Sequence, residues 1–191
     1  MNKQLMVHVI TNFAGVGGAE MMLARLIKQT QNKYDHVVIS LMKISDVYAD
    51  TLAICSSHYA LAWNGLNSFS VLAKLKKLLN QLASKTVQCW MYHANVMTSL
   101  SVLGMQNKPK VFWGVHHSLA SPKEESISTK VALHLSKFLS AKPAGIIYCA
   151  HSSLQQHQHY GLNNSNVQVI ANGVSLRVIC HENSKQKAEN C

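Results

Sequence analysis

Apolar positions follow two alternating patterns along most of this 191-residue chain. Short, nearly continuous apolar runs alternate with longer stretches in which apolar residues recur every three or four positions. A run of the first kind reads as a strand covered on both faces, and a stretch of the second kind as an amphipathic helix. Strands are therefore expected at residues 5–11, 36–42, 59–63, 86–92, 110–116, 145–150 and 167–171, the third being the weakest. Helices are expected at residues 18–31, 68–84, 95–105, 129–142 and 151–160. Strands separated by helices of about 10–15 residues make βαβ units and a parallel sheet. Crossover helices on both faces then give a doubly wound, Rossmann-like α/β domain. After Asn172-Gly173 the chain turns polar and loses its period, so residues 1–174 are expected to form one domain and 175–191 a tail.

Composition narrows the class. Apolar residues make up 48% and charged residues 14%, which excludes a disordered chain. No apolar run approaches about 18 residues, so no transmembrane helix is expected. The first strand lacks the apolar length and small-residue cleavage site of a signal peptide, and a soluble cytoplasmic domain is the expectation. Five cysteines, odd in number and without a C-x-x-C pair, argue against a disulfide framework or a zinc site. Cys89 and Cys149 lie in apolar runs and read as buried free thiols. Eighteen Lys and Arg against eight Asp and Glu give a net charge of +10, a field that attracts anions without choosing among them.

Three stretches can carry chemistry. The first is Gly15-Val16-Gly17-Gly18-Ala19-Glu20 between strand one and helix one. Glycines allow positive φ and close approach of a ligand, and a helix N-terminus suits a phosphate. Asn12 and Glu20 add polar groups at the mouth. A tight turn that binds nothing is the alternative. Glu at position 20 breaks the G-x-G-x-x-G pattern, and no acidic residue ends the second strand, where Lys43 stands nearby. A nicotinamide cofactor is disfavoured on both counts, and no cofactor is expected.

The second is His116-His117-Ser118 at a strand's carboxyl end, where ligands of open α/β sheets bind. A histidine there can hydrogen-bond a hydroxyl or phosphate, act as a base, or simply cap the next loop. Neighbouring residues of a strand face opposite ways, so both imidazoles cannot serve one ligand. His93 holds a comparable place with a weaker claim. His151 with neither His157 nor His159 matches a zinc-binding i, i+4 face; no metal site is expected, and all three read as surface residues.

The third is the helix at residues 68–84. Val71, Leu72, Leu75, Leu78, Leu79 and Leu82 form a stripe roughly 120° wide, with Lys74, Lys76 and Lys77 opposite. Such a stripe packs on a core; the lysines can face solvent or an anionic membrane. No aromatic residues interleave with the lysines, so nucleic acid is not an expected partner.

Val7-His-Val-Ile-Thr11 followed by Gly17-Gly18-Ala-Glu20, the strand ending in His116, Ile146-Ile-Tyr-Cys-Ala-His-Ser-Ser153 and Val169-Ile-Ala-Asn-Gly-Val174 occur in the order found in family 4 glycosyltransferases of the GT-B fold. The chain resembles the N-terminal, acceptor-side domain of that family across residues 5–176. The resemblance implies an enzyme that transfers sugar from a nucleotide-sugar, with retention, to a sugar or lipid-linked acceptor in polysaccharide or glycolipid assembly. It places Gly17 and Gly18 near the donor phosphates, His116 near the donor sugar, and Ser152 at the start of a helix, where it can serve as a cap. The family's second domain carries a Glu-x7-Glu motif; Glu182 and Glu189 have six residues between them and do not match it. The expectation is half of an enzyme, inactive alone and dependent on a separate domain or chain, with a non-catalytic glycan-, lipid- or protein-binding module as the alternative.

Overall fold

Val7, Val9 and Ile10 are fully buried, as an apolar run must be when both faces of its strand are covered. They belong to β1 (Gln4–Ile10), an interior strand of a sheet completed by β2 (Tyr34–Ser40), β3 (Ser57–Ala60), β4 (Thr86–Trp90), β5 (Lys110–Val115), β6 (Gly145–Tyr148) and β7 (Val167–Val169). The computed structural model describes residues 3–119 and 121–173. The seven strands are parallel in the order β3-β2-β1-β4-β5-β6-β7. Six helices connect them: α1 (Gly18–Thr30), α2 (Ala49–Leu52), α3 (Ser68–Leu82), α4 (Tyr92–Ser101), α5 (Ile127–Leu139) and α6 (His151–Tyr160). The doubly wound α/β expectation holds.

Strand alternation divides the core in two. Val7, Val9, Val37, Ile39, Val87, Cys89, Val111 and Trp113 point to one face, where Val71, Leu75 and Leu79 of α3 join them. Ile10, Val38 and Trp90 point to the other face, under Ala19, Leu23 and Ile27 of α1. The α1 residues stand four apart, on one side of a 3.6-residue helix. Leu23 is fully enclosed, so Leu23→Ala costs about 2–5 kcal/mol. The leucine stripe of α3 packs inward as its period requires. Its C-cap, Ala83, takes a left-handed conformation (φ 45°), and Gly161 (φ 111°) closes α6 in the same way.

Three features depart from the sequence expectation. β4 stops at Trp90 and α4 starts at Tyr92, three residues earlier than expected, because the chain turns at Met91 with φ 73° and ψ 165°. That conformation normally belongs to glycine, so no turn residue marks it. Residues 46–52 form a short 3-10 turn (Asp46–Tyr48) and α2, too brief to show a period. Cys89 is buried and free, whereas Cys149 is only half-buried. The tail expected at 175–191, with Val174 and the pair Glu182 and Glu189, lies outside the described residues.

Candidate functional site

The order of the sheet reverses at β1, with β2 on one side and β4 on the other. Loops leaving β1 and β4 therefore diverge outside the carboxyl ends of these strands, the place where open α/β sheets bind ligands. The glycine loop leaves β1. Its entry is tied to the neighbouring loop: the Phe13 N–H donates to Lys43 O (2.9 Å) and the Ser45 N–H to Phe13 O (3.0 Å). Phe13 stacks on Tyr48 at 4.0 Å, and Tyr48 Oη donates to Gly15 O (2.7 Å). Asn12 Oδ1 accepts the Lys43 N–H (3.3 Å), so one end of this amide is already held by the loop.

The glycines serve this loop differently from the sequence expectation. None of Gly15, Gly17 and Gly18 has positive φ. Gly17 caps α1 in an extended conformation without a side-chain hydrogen bond. A Cβ at Gly15 or Gly18 would meet nothing, while one at Gly17 would collide with the Glu20 carboxylate. The open space at Gly15 and Gly18 leaves that side of the α1 N-terminus approachable, its first N–H groups having no intrahelical partner, while the Glu20 carboxylate stands over Gly17.

His116 follows the end of β5, on the β4 side of the reversal. Its ring stacks on Trp90 at 4.9 Å with 15° between planes, and Nδ1 donates to Asn172 Oδ1 (3.1 Å). Burial outweighs that hydrogen bond and holds the imidazole below its ordinary pKa. The ring is thus neutral at pH 7, with a lone pair on Nε2. Space for it comes from Gly114, where a Cβ would lie 2.9 Å from Cys89 O and 3.2 Å from His116 Nε2. His117 goes elsewhere: Nε2 meets Glu125 Oε1 at 2.8 Å, and its carbonyl accepts from Ser153 Oγ (2.7 Å).

Behind Trp90 runs a buried polar chain that sequence reading missed. Trp90 Nε1–H donates to His8 Nδ1 (3.4 Å), and His8 Nε2 lies 3.0 Å from His36 Nδ1. His36 Nε2 lies 3.1 Å from Thr30 Oγ1, which donates to Leu26 O (2.6 Å). Thr30 has one proton and gives it to the carbonyl, so His36 Nε2 must donate, and His8 Nε2 must in turn donate to His36 Nδ1. Both histidines are then neutral, and every donor points the same way. Desolvation lowers the His36 pKa and takes that of His8 down to about 3, with His36 adding repulsion.

The remaining candidates disperse. His93 stands on the first turn of α4 beside Trp63 (5.3 Å), its pKa lowered by burial, and its Nε2 has no partner among the described residues. Ser152 is exposed and caps nothing, because the N-cap of α6 is Ala150; the neighbour Ser153 makes the tertiary bonds instead. His157 corrects the surface reading. It is fully buried, donates from Nδ1 to Ser153 O (2.7 Å) and accepts at Nε2 from Tyr92 Oη (2.6 Å). His151 and His159 are exposed. Lys74 and Lys77 face outward, whereas Lys76 Nζ donates to Leu103 O (3.2 Å). Trp90, Asn172 and Tyr48 join the site unforeseen. The one signal for Trp90 was its place near the end of a strand beside the glycine loop's own strand.

The sequence profile of glycosyltransferase family 4 matches residues 16–178, most of the chain. The chain belongs to glycosyltransferase family 4. Solved glycosyltransferases share its fold. HepE from Anabaena with UDP-glucose superposes with TM-score 0.67 at 16% identity, over 88% of this chain and 44% of that one. The apo lipopolysaccharide outer core galactosyltransferase WaaB gives TM-score 0.68 at 14% identity, over 92% and 47%. A glycosyltransferase from Rickettsia africae gives 0.61 at 16%, over 91% and 44%. The chain thus spans less than half the length of these structures, as one half of a GT-B enzyme does. No curated protein matches it in sequence.

Proposed function

We propose that this domain is the acceptor-side half of a retaining, nucleotide-sugar-dependent glycosyltransferase in polysaccharide or glycolipid assembly, acting with a donor-binding domain on the same or another chain. The observation that carries the reading is the reversal of sheet order at β1. It puts the α1 N-terminus at Gly17 and Gly18 and a neutral His116 at the same carboxyl end of the sheet, with no hydrogen bond to His116 Nε2 among the described residues. HepE was solved with UDP and with UDP-glucose, which supports a nucleotide-sugar as the donor class. In this reading the α1 N–H groups meet the diphosphate oxygens, and His116 Nε2 accepts from a hydroxyl of the transferred sugar. On the same reading Asn12, Glu20 and His93 line the acceptor approach, while His117 and Ser153, joined by the bond from Ser153 Oγ to His117 O, hold the loops beside it. Stabilising the departing diphosphate is the main work, and this half supplies only part of it. Among the described residues no helix is long and apolar enough to cross a membrane. The proposed location is the cytoplasmic face of a membrane, with Lys74 and Lys77 outward.

The test joins the chain to a donor-binding GT-B half and follows transfer from a panel of nucleotide-sugars by mass spectrometry. His116→Ala should lower turnover about a hundredfold. A neutral effect in an active fusion removes His116 from the site, and sugar transfer by the isolated chain overturns the division of labour.

A further inference from the structure

Four rings line up diagonally across the sheet, on the face that α1 covers. His36 lies level with Met6, two residues before His8 on β1, and Trp90 lies level with Ile10, two residues after it. Gly114 pairs with Trp90, and His116 follows two residues on. Each ring is thus one strand over and two residues nearer the carboxyl end than the last, and residues two apart on a strand share a face. The rings meet in that order. His36 and His8 stack at 5.2 Å between centroids, Trp90 is tilted 6.1 Å from His8, and His116 lies nearly parallel to Trp90 at 4.9 Å. Hydrogen bonds join the first three, and stacking alone carries the ladder on to His116. The other two tryptophans give their N–H to hydroxyls, Trp63 to Ser68 and Trp113 to Ser99; only Trp90 gives its own to an imidazole.

We propose that Trp90 is a positioning residue for His116, and that His8, backed by His36, fixes the indole plane on which that imidazole rests. The bond from Nδ1 to Asn172 holds one atom of the His116 ring and leaves the ring free to tip about it. A flat support removes the tipping and aims Nε2. An indole can serve only if it cannot turn, and its N–H bond to the fully buried His8 prevents that. Packing alone does not account for the pair: two apolar side chains would fill the space between β1 and β2 without the desolvation that two imidazoles cost. The inference rests on the reading of His116 as the group that meets the transferred sugar, and deepens it. Ring geometry is read without sugar transfer, so the two fail separately.

The test uses two substitutions that divide the bonds of His8. In His8→Asn the amide oxygen falls near the place of Nδ1 and still accepts from Trp90. In His8→Gln the longer amide reaches the place of Nε2 and still serves His36, while the indole is released. NMR of the full chain, labelled in its histidine and tryptophan rings, should find the His116 ring protons upfield in the wild type, over the indole face. That shift should largely persist in His8→Asn and collapse in His8→Gln, with faster exchange of the Trp90 N–H. Joined to a donor-binding half, His8→Gln should lower kcat about tenfold to a hundredfold with KM little changed. In a His116→Ala background the same substitution should cost less than about twofold, because residues that act through one another do not add. Circular dichroism checks the fold of each variant. His116 protons at ordinary positions in the wild type overturn the inference without any substitution. So does equal displacement in His8→Asn and His8→Gln, or a His8→Gln loss as large in the His116→Ala background, which marks a general loss of stability. A neutral His116→Ala overturns the proposed site, and the ring signals still judge the positioning.

Discussion

The polar chain behind Trp90 makes a quantitative demand on acid stability. His8 is fully buried with both ring nitrogens engaged, and a proton added to it would have to displace the Trp90 N–H at Nδ1. Its pKa is about 3 in the fold, against about 6.5 in the unfolded chain. A depressed native pKa contributes stability that is full above the unfolded value and is lost as pH falls toward the folded one. From roughly pH 7 to pH 5 the unfolded state takes up a proton that the native state refuses, and His8 alone removes about 2 kcal/mol. His36, His93, His116 and His157 are all lowered and act with the same sign. Urea midpoints across this range should show the fall. His8→Gln lowers stability overall but should flatten the slope below about pH 6 by about 1.4 kcal/mol per pH unit. In the native protein the His8 ring resonances should stay fixed over the whole interval. Equal slopes for the two proteins, or a His8 ring that titrates near pH 6, would refute the neutral chain.

Other expectations follow from single contacts. Gly114→Ala forces a methyl against Cys89 O and should cost about 1–3 kcal/mol in denaturant midpoint, with a change in Trp90 fluorescence as His116 leaves its stack. Tyr92→Phe leaves His157 Nε2 buried without its donor, and thermal unfolding should show a loss of about 1–3 kcal/mol. Cys89, buried and with its thiol pushed up to about 12, should react with a thiol reagent only on unfolding, with a rate that tracks denaturant concentration.

The order of elements was legible because each strand of a parallel sheet is an unbroken apolar run and each covering helix shows a 3.6-residue period. The same logic placed the leucines of α3 inward. Contacts between elements distant in sequence were not legible. Nothing local says that His8 meets His36, or that Trp90 lies under His116, because the first pairing depends on the β1–β2 register and the second on the β4–β5 register. His157 looked like a surface residue in a polar helix, and its burial depends on Tyr92, 65 positions away. The outward side of α5, where Ile127, Val131 and Phe138 are exposed, escaped for the opposite reason: an amphipathic period tells which residues share a face and is silent on which face meets the core. Met91 shows another limit, a turn forced by packing on a residue that does not favour it.

The reversal of sheet order at β1 also sets a timetable. Of the seven strands of this sheet β1 is made first, yet it lies inside the sheet, and it can recruit β2 and β3 as they follow. Its other edge stays bare until residues 86–90 arrive, when Ile10 comes into register with Trp90. Closing that pair spans a long stretch of chain and is the slow kind of contact to make. Until then an interior strand presents an open edge, and His8 waits for its tryptophan donor. A nascent chain halted before β4 should be the aggregation-prone species, held in solution by chaperones or not at all.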